Sequence, residues 1–161
     1  MPQFLVKPAN QVVVQGNPIK VEYEIGPNAT AAKMLPGRLV VYDNVAALDY
    51  KVKEAGHEAD NVIGFLDVEP DELEATHYDV ADQALVVMGE CIAKLTLLAS
   101  ESVAPGDWLV AASDGKVKKQ AVGAMGSQGM PIGQALETSN VTVDAEILVH
   151  WIPCAEPAAA S

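Results

Sequence analysis

The chain is poor in aromatic residues: Phe, Trp and Tyr make up 5% of its 161 residues. Its hydrophobic share of 50% must therefore come mainly from Val, Ile, Leu and Ala. Branching at Cβ suits a pleated, half-buried surface better than a helix, so this composition leans towards sheet. Cysteine is scarce as well. Cys91 and Cys154 stand far apart without CxxC spacing, which excludes a disulfide framework and a zinc site built on them alone. They read as two free thiols in a reducing compartment.

Positive charge is the next shortage. Ten Lys and Arg face 22 Asp and Glu, for a formal charge of −12 and a pI near 4.4. Such a field repels phosphate backbones, so no nucleic-acid partner is expected. Lys116, Lys118 and Lys119 lie close together and read as a charged hairpin tip. No apolar run approaches the ~18 residues of a membrane span, so no membrane partner is expected. The start, MPQFLVKPAN, lacks a basic stretch leading into an apolar one, and no secretory signal is expected. The overall balance is that of a soluble globular chain, long enough to bury a core without metal or disulfides.

Groups that would converge for catalysis are also missing. His57, His77 and His150 follow neither HExxH nor HxH spacing. His77 with Glu74, Asp79 and Asp82 suggests at most a weak metal site, and a solvated acidic loop over DVEPDELEATHYD (67–79) explains the same residues. Ser127 sits in no GxSxG elbow, and no cysteine has a histidine beside it. The glycines at 123, 126, 129 and 133 match neither GxxxxGK[ST] nor GxGxxG. Glu69, Asp71, Glu72 and Glu74 would serve a glycosidase only beside an aromatic cleft, and Trp108 and Trp151 fall on strands where core packing is the default. We therefore expect no enzyme, no cofactor and no resident metal.

What the sequence does contain is strand pattern. Ile19, Val21, Tyr23 and Ile25 alternate with Lys20, Glu22 and Glu24. Together with Val12-Val13-Val14 and the turn Gly16-Asn17-Pro18, this predicts an N-terminal hairpin. Further strands are predicted at Leu39–Tyr42, around Tyr50–Lys53, at Ile63–Leu66, Leu85–Met88, Cys91–Leu98, Trp108–Ala111, Ile132–Leu136 and Glu146–Ile152. Gly89-Glu90 and Asp114-Gly115 supply turns. Residues 1–35 read as an arm and linker, 36–153 as a β-barrel-like body, and 154–161 as a disordered tail.

The body echoes itself. Pro36-Gly37 precedes Leu39-Val40-Val41 and then Ile63-Gly64, while Pro105-Gly106 precedes Leu109-Val110 and then Ile132-Gly133. The pattern suggests duplicated halves, 36–88 and 105–152, pairing into one small barrel. Glycine inside a strand often marks a close backbone approach.

From Cys91 to Ile152 the segments VAPGDWLVAASDGKVKK, PIGQALETS and AEILVHWIP form a familiar order. They resemble the capsid decoration, or head-stabilisation, proteins of phages, in which a Gly-Asp hairpin precedes an IGxAxE strand and a terminal strand. Gly106-Asp107, Asp114-Gly115, Ile132 to Glu137 and Ile147-Leu148-Val149 hold those places here. Leu39 to Leu66 is similar, more loosely, to the lambda-like head-decoration fold, while the acidic stretch 67–79 departs from it.

The resemblance implies an all-β, β-tulip-like barrel with an extended N-terminal β-arm. It implies a homotrimer on the capsid exterior, bridging neighbouring capsomers, made in the host cytoplasm and carried on the virion. The partner would be the major capsid protein. Phe4, Leu5, Val6, Val12, Val14, Val21, Tyr23 and Ile25 would form the capsid-binding arm, adding a strand to that partner, and removal of residues 1–26 should leave the body folded. The alternative is a tail or baseplate β-module, or a carbohydrate-binding module.

Overall fold

The computed structural model describes residues 11–43, 51–68, 77–121 and 129–152. Within them the chain is all-β, with eleven strands and two single-turn 3-10 segments. Five strands form a first closed barrel: β2 (Lys20–Ile25), β3 (Leu39–Tyr42), β4 (Lys51–Glu54), β5 (Gly64–Leu66) and β6 (Gln83–Val87), ordered β2-β4-β3-β5-β6. A second ring holds β7 (Cys91–Leu97), β8 (Trp108–Ala111), β9 (Val117–Lys119), β10 (Gly133–Ala135) and β11 (Ala145–Trp151), ordered β7-β11-β10-β8-β9 and closed by β7–β9. β1 (Val13–Gln15) lies outside both, along β7.

The two rings are wired identically. In each, the first strand pairs in parallel with the third and antiparallel with the fifth. The second pairs antiparallel with the third and fourth, and the fourth with the fifth. The match extends to single hydrogen bonds. Gly37 N–H donates to Leu66 O at 2.8 Å, and Gly106 N–H to Ala135 O at 2.8 Å. Ile63 N–H donates to Val40 O at 3.0 Å, and Ile132 N–H to Leu109 O at 2.9 Å. The register Val40↔Gly64 recurs as Leu109↔Gly133. The repeated unit starts at β2 and β7, one strand before the turns that make the echo visible in sequence. Each half has five strands and closes its own ring, so the body is two barrels and not one shared by both halves.

Glycine is required where the echo placed it. Gly37 and Gly106 turn at φ of +80° and +91°, a left-handed conformation that side chains disfavour. At Gly64 and Gly133 the constraint is space: an added Cβ would overlap the carbonyl oxygen of Val87 or His150 on the neighbouring strand.

Two apolar clusters fill the molecule. One takes alternate residues from all five strands of the first ring, including Ile25, Val40, Val52, Leu66 and Val86. The other takes Leu95, Leu109, Val117, Ala135 and Val149 from the five strands of the second ring and joins them to Leu39, Val41, Phe65 and Val87, the opposite face of the first. β3 and β5 are thus covered on both sides, which accounts for their unbroken apolar runs. Phe65 meets Trp151 edge-on, with ring centroids 5.2 Å apart and planes at 80°, a favourable aromatic geometry.

Residues 11–25 are part of this body, not a separate arm. β2 closes the first ring by pairing with β4 and β6, while β1 pairs with β7, so the predicted β1–β2 hairpin does not form. Alternation announces a strand but not its partner. Removing residues 1–26 would therefore open the first barrel, contrary to the expectation from sequence. Residues 1–10 and 154–161 lie outside the described residues.

The glycine geometry yields a graded expectation. Gly64→Ala and Gly133→Ala should each destabilise by about 1–3 kcal/mol through overpacking. Gly56→Ala, whose Cβ meets nothing within 4 Å, should stay within about 0.5 kcal/mol. Chemical denaturation of the three variants checks the order.

Candidate functional site

Each histidine lies beside a carboxylate. His57 and Lys118 both approach Glu58, at 3.2 and 2.7 Å, and His150 meets Glu90 at 2.7 Å. His77 lies 3.3 Å from Asp79, whereas Asp82 accepts the Asp79 backbone N–H at 2.8 Å and so serves the turn. Among the described residues, no group of three or more His, Cys, Asp or Glu side chains is placed to hold a metal. Glu74, Ser127 and Gly126 fall outside those residues. Gly129 packs its backbone against Glu58, and Gly133 belongs to β10. Cys91 is buried and free; burial pushes its thiol up to about 12, which leaves it unreactive at neutral pH.

The described aromatic residues serve packing. Trp151 is 1% exposed within the shared core, and Trp108 is half-buried on β8. Tyr23 and Tyr42 stack edge-on at 5.8 Å, their hydroxyls 3.2 Å apart. No flat row of exposed rings for a sugar is present among the described residues.

The residues expected to bind the capsid separate into distinct environments. Tyr23 and Ile25 are buried in the first barrel, and Val12 in the shared cluster. Val14 is half-buried on β1. Val21 is exposed, beside Ile19 at 69% exposure, where β2 begins. Phe4, Leu5 and Val6 lie outside the described residues. Among the described residues β1 borders β7 on one side only, while the other ten strands belong to closed rings. Three residues and an irregular register at Val13/Gln15 keep its other edge short, a common protection against indiscriminate pairing.

Sequence reasoning missed the junction between the barrels. Arg38 is the sole arginine of the chain and is buried. The Pro36-Gly37 turn delivers it to the second barrel, where its Nη1 donates to Asp114 O at 2.8 Å. Lys33 bridges to Asp114 at 2.6 Å, and Lys116 to Asp144 at 2.8 Å. The lysine hydrogen bonds hold both carboxyl groups below the usual carboxylate range, while burial lowers the Arg38 value. Next to Arg38 a cavity of about 320 Å³ opens between the 35–38 turn and the β7–β11 sheet, with Lys94, Thr96 and Glu146 on its wall. The one available signal was a lone arginine directly after a repeated turn, at the place where the second half carries Asp107.

No protein-family model matches the chain, and no curated protein does. Among solved structures, the fold is similar to the N base of head fiber gp8.5 of bacteriophage phi29. The TM-score is 0.50 at 15% identity, over 84% of this chain and 94% of that one. At that identity the likeness is one of fold.

The junction carboxylates set a pH dependence. Their folded pKa values are depressed, so their stabilisation is fully present above the unfolded carboxylate value of about 4. It is lost as pH falls through the lower folded value. Asp114→Asn should weaken the protein at pH 7 and much less near pH 3, as thermal melts at the two pH values would show.

Proposed function

We propose that this chain is a structural protein of a bacteriophage virion, attached to the outside of the head, where it braces the shell. The observation that supports this reading is the fold, similar over 84% of this chain to the base of a phage head fiber. The order of motifs from Cys91 to Ile152, which resembles capsid decoration proteins, points the same way. The strongly acidic composition suits a surface that must stay clear of packaged and free DNA.

In this reading the chain stabilises seams between capsomers. A clamp that touches two capsid subunits at once gains from effective concentration, so weak contacts add to a firm hold. A homotrimer at a three-fold position would multiply that gain. The contact surface proposed is the N-terminal side: residues 1–10, with Phe4-Leu5-Val6, the edge of β1 away from β7, and the exposed Ile19 and Val21. Strand addition to β1 or by residues 1–10 would derive its affinity from main-chain hydrogen bonds. No aromatic platform among the described residues favours a carbohydrate-binding module.

The decisive experiment is co-sedimentation with expanded, undecorated heads of a phage that encodes this chain. Saturable binding at a small whole-number ratio per capsid site is expected; absence of binding to intact heads would redirect the assignment to a tail or baseplate. A variant lacking residues 1–10 should keep the native circular dichroism and melt, since both barrels remain, but lose head binding. Undiminished binding would move the contact to the body.

A further inference from the structure

The internal duplication contains a strand position that is filled on one barrel and open on the other. The registers make Lys20, Val21 and Glu22 of β2 equivalent to Ile92, Ala93 and Lys94 of β7. Lys20↔Val87 corresponds to Ile92↔His150, and Val21↔Val86 to Ala93↔Val149. On β7 these residues carry β1 along the edge turned away from β11. Ala93 pairs with Val13, Ile92 with Gln15, and Lys94 N–H donates to Val12 O at 2.8 Å. On β2 no described strand takes that place, because β4 joins only at Glu24 and Ile25. Exposure follows the difference. Cys91 is 5% exposed and Ala93 fully buried, whereas their counterparts Ile19 and Val21 are 69% and 36% exposed. Lys20 and Glu22 are exposed as well, with Lys20 bridged to Asp67 at 2.6 Å. Equivalence with Lys94 turns the Glu22 N–H towards the open side. Such an edge, flanked by aliphatic side chains, fits an added antiparallel strand.

The occupant should resemble β1, and the stretch before β1 does. Phe4-Leu5-Val6, followed by Lys7-Pro8, repeats the make-up of Val12-Val13-Val14, which also has a polar residue and then a proline after it. Residues 1–10 carry Lys7 and no Asp or Glu, in a chain of charge −12. Glu22 and Glu24 border the open edge, so the charges are complementary. Residues 1–10 join the described chain at Gln11, which lines one groove with Lys94 and Thr96. From there β1 runs to Gly16, which packs on Cys91, and β2 starts at Gly89, which packs on the Ile19 backbone. Residues 1–10 thus leave the body at the end of β1 remote from β2. To fill their own slot they would have to double back along β1; the slot of a second copy requires no such reversal.

We propose that residues 4–6 of one copy add as a strand to residues 20–22 of a second copy, in the place that β1 holds on β7. Donor and acceptor surfaces differ, so the contact is heterologous, the kind that closes into rings such as a trimer. Each copy gives one strand and receives one, and ring closure reinforces contacts that are weak singly. The inference rests on the homotrimer of the virion reading and makes residues 1–10 the link between its copies. Their loss then removes head binding through loss of the trimer.

Two full-length variants test this by sedimentation velocity. Leu5→Pro spoils the donor strand. Glu22→Pro removes the outward N–H of the acceptor and spares the ladder with β6, a place on an edge where proline is tolerated. The wild type should sediment as a trimer and each variant as a monomer, with association weakened about tenfold or more. An equimolar mixture of the two variants should give a heterodimer and nothing larger, since one intact strand then meets one intact slot. Should Glu22→Pro fail to fold, the wild-type trimer is challenged with an excess of a synthetic peptide of residues 1–10. That peptide should split the trimer, and the same peptide carrying Leu5→Pro should not. A monomeric wild type, variants that keep the trimer, a mixture that stays monomeric, or a trimer indifferent to the peptide overturns the proposal. Heads play no part in these measurements. A trimer that ignores heads overturns the virion reading alone, and a monomer that binds heads overturns this inference alone.

Discussion

The rest of the structure depends on one shared surface, the outer face of the first barrel lying over the core of the second. Leu39, Val41, Phe65 and Val87 leave their own barrel's interior to join Leu95, Leu109, Val149 and Trp151. A five-strand ring of this size buries too little apolar surface to be comfortable alone. Joining the two cores gives the second ring a lid and the first a covered flank. The need is clearest at the β7–β9 seam, closed in the ladder by the single pair Leu97↔Val117. Apolar packing across the junction compensates for that thin closure.

The junction also concentrates the polar contacts that fix how the barrels sit. Arg38 and Lys33 reach from the first half to Asp114, and Lys118 in the second reaches Glu58 in the first. The Glu58 N–H donates to Ala111 O at 2.9 Å, and Gly115 N–H to Ala55 O at 2.8 Å. Partly exposed ion pairs contribute little stability each. Backbone bonds between the halves, by contrast, are directional and fix orientation. The apolar cluster supplies the attraction, and these bonds select the geometry.

The halves share their wiring but differ in surface. The turn Pro36-Gly37 and its counterpart Pro105-Gly106 keep the same hydrogen bonds, yet the next residue is Arg38 in one half and Asp107 in the other. Asp107 stays at the surface, pairing with Lys119 at 2.9 Å and accepting the Ala104 N–H at 2.8 Å. Arg38 turns into the junction. One backbone device thus serves a local turn in one place and an interior charge in the other.

Much of the local structure was legible. Val-rich runs, the Pro-Gly turns and the Ile-Gly strands marked β3, β5, β8 and β10, because glycine at a crossing strand answers to a steric demand that is written into a single position. The partner of each strand was not. Ile19, Val21, Tyr23 and Ile25 have the same alternation whether they reach for another protein or close their own barrel, and only the long-range pairing of β2 with β4 and β6 decided between them. Arg38 shows the same division. Sequence placed it after a turn; burial beside Lys94 came from the approach of two barrels, a contact between residues far apart in the chain that no local pattern encodes.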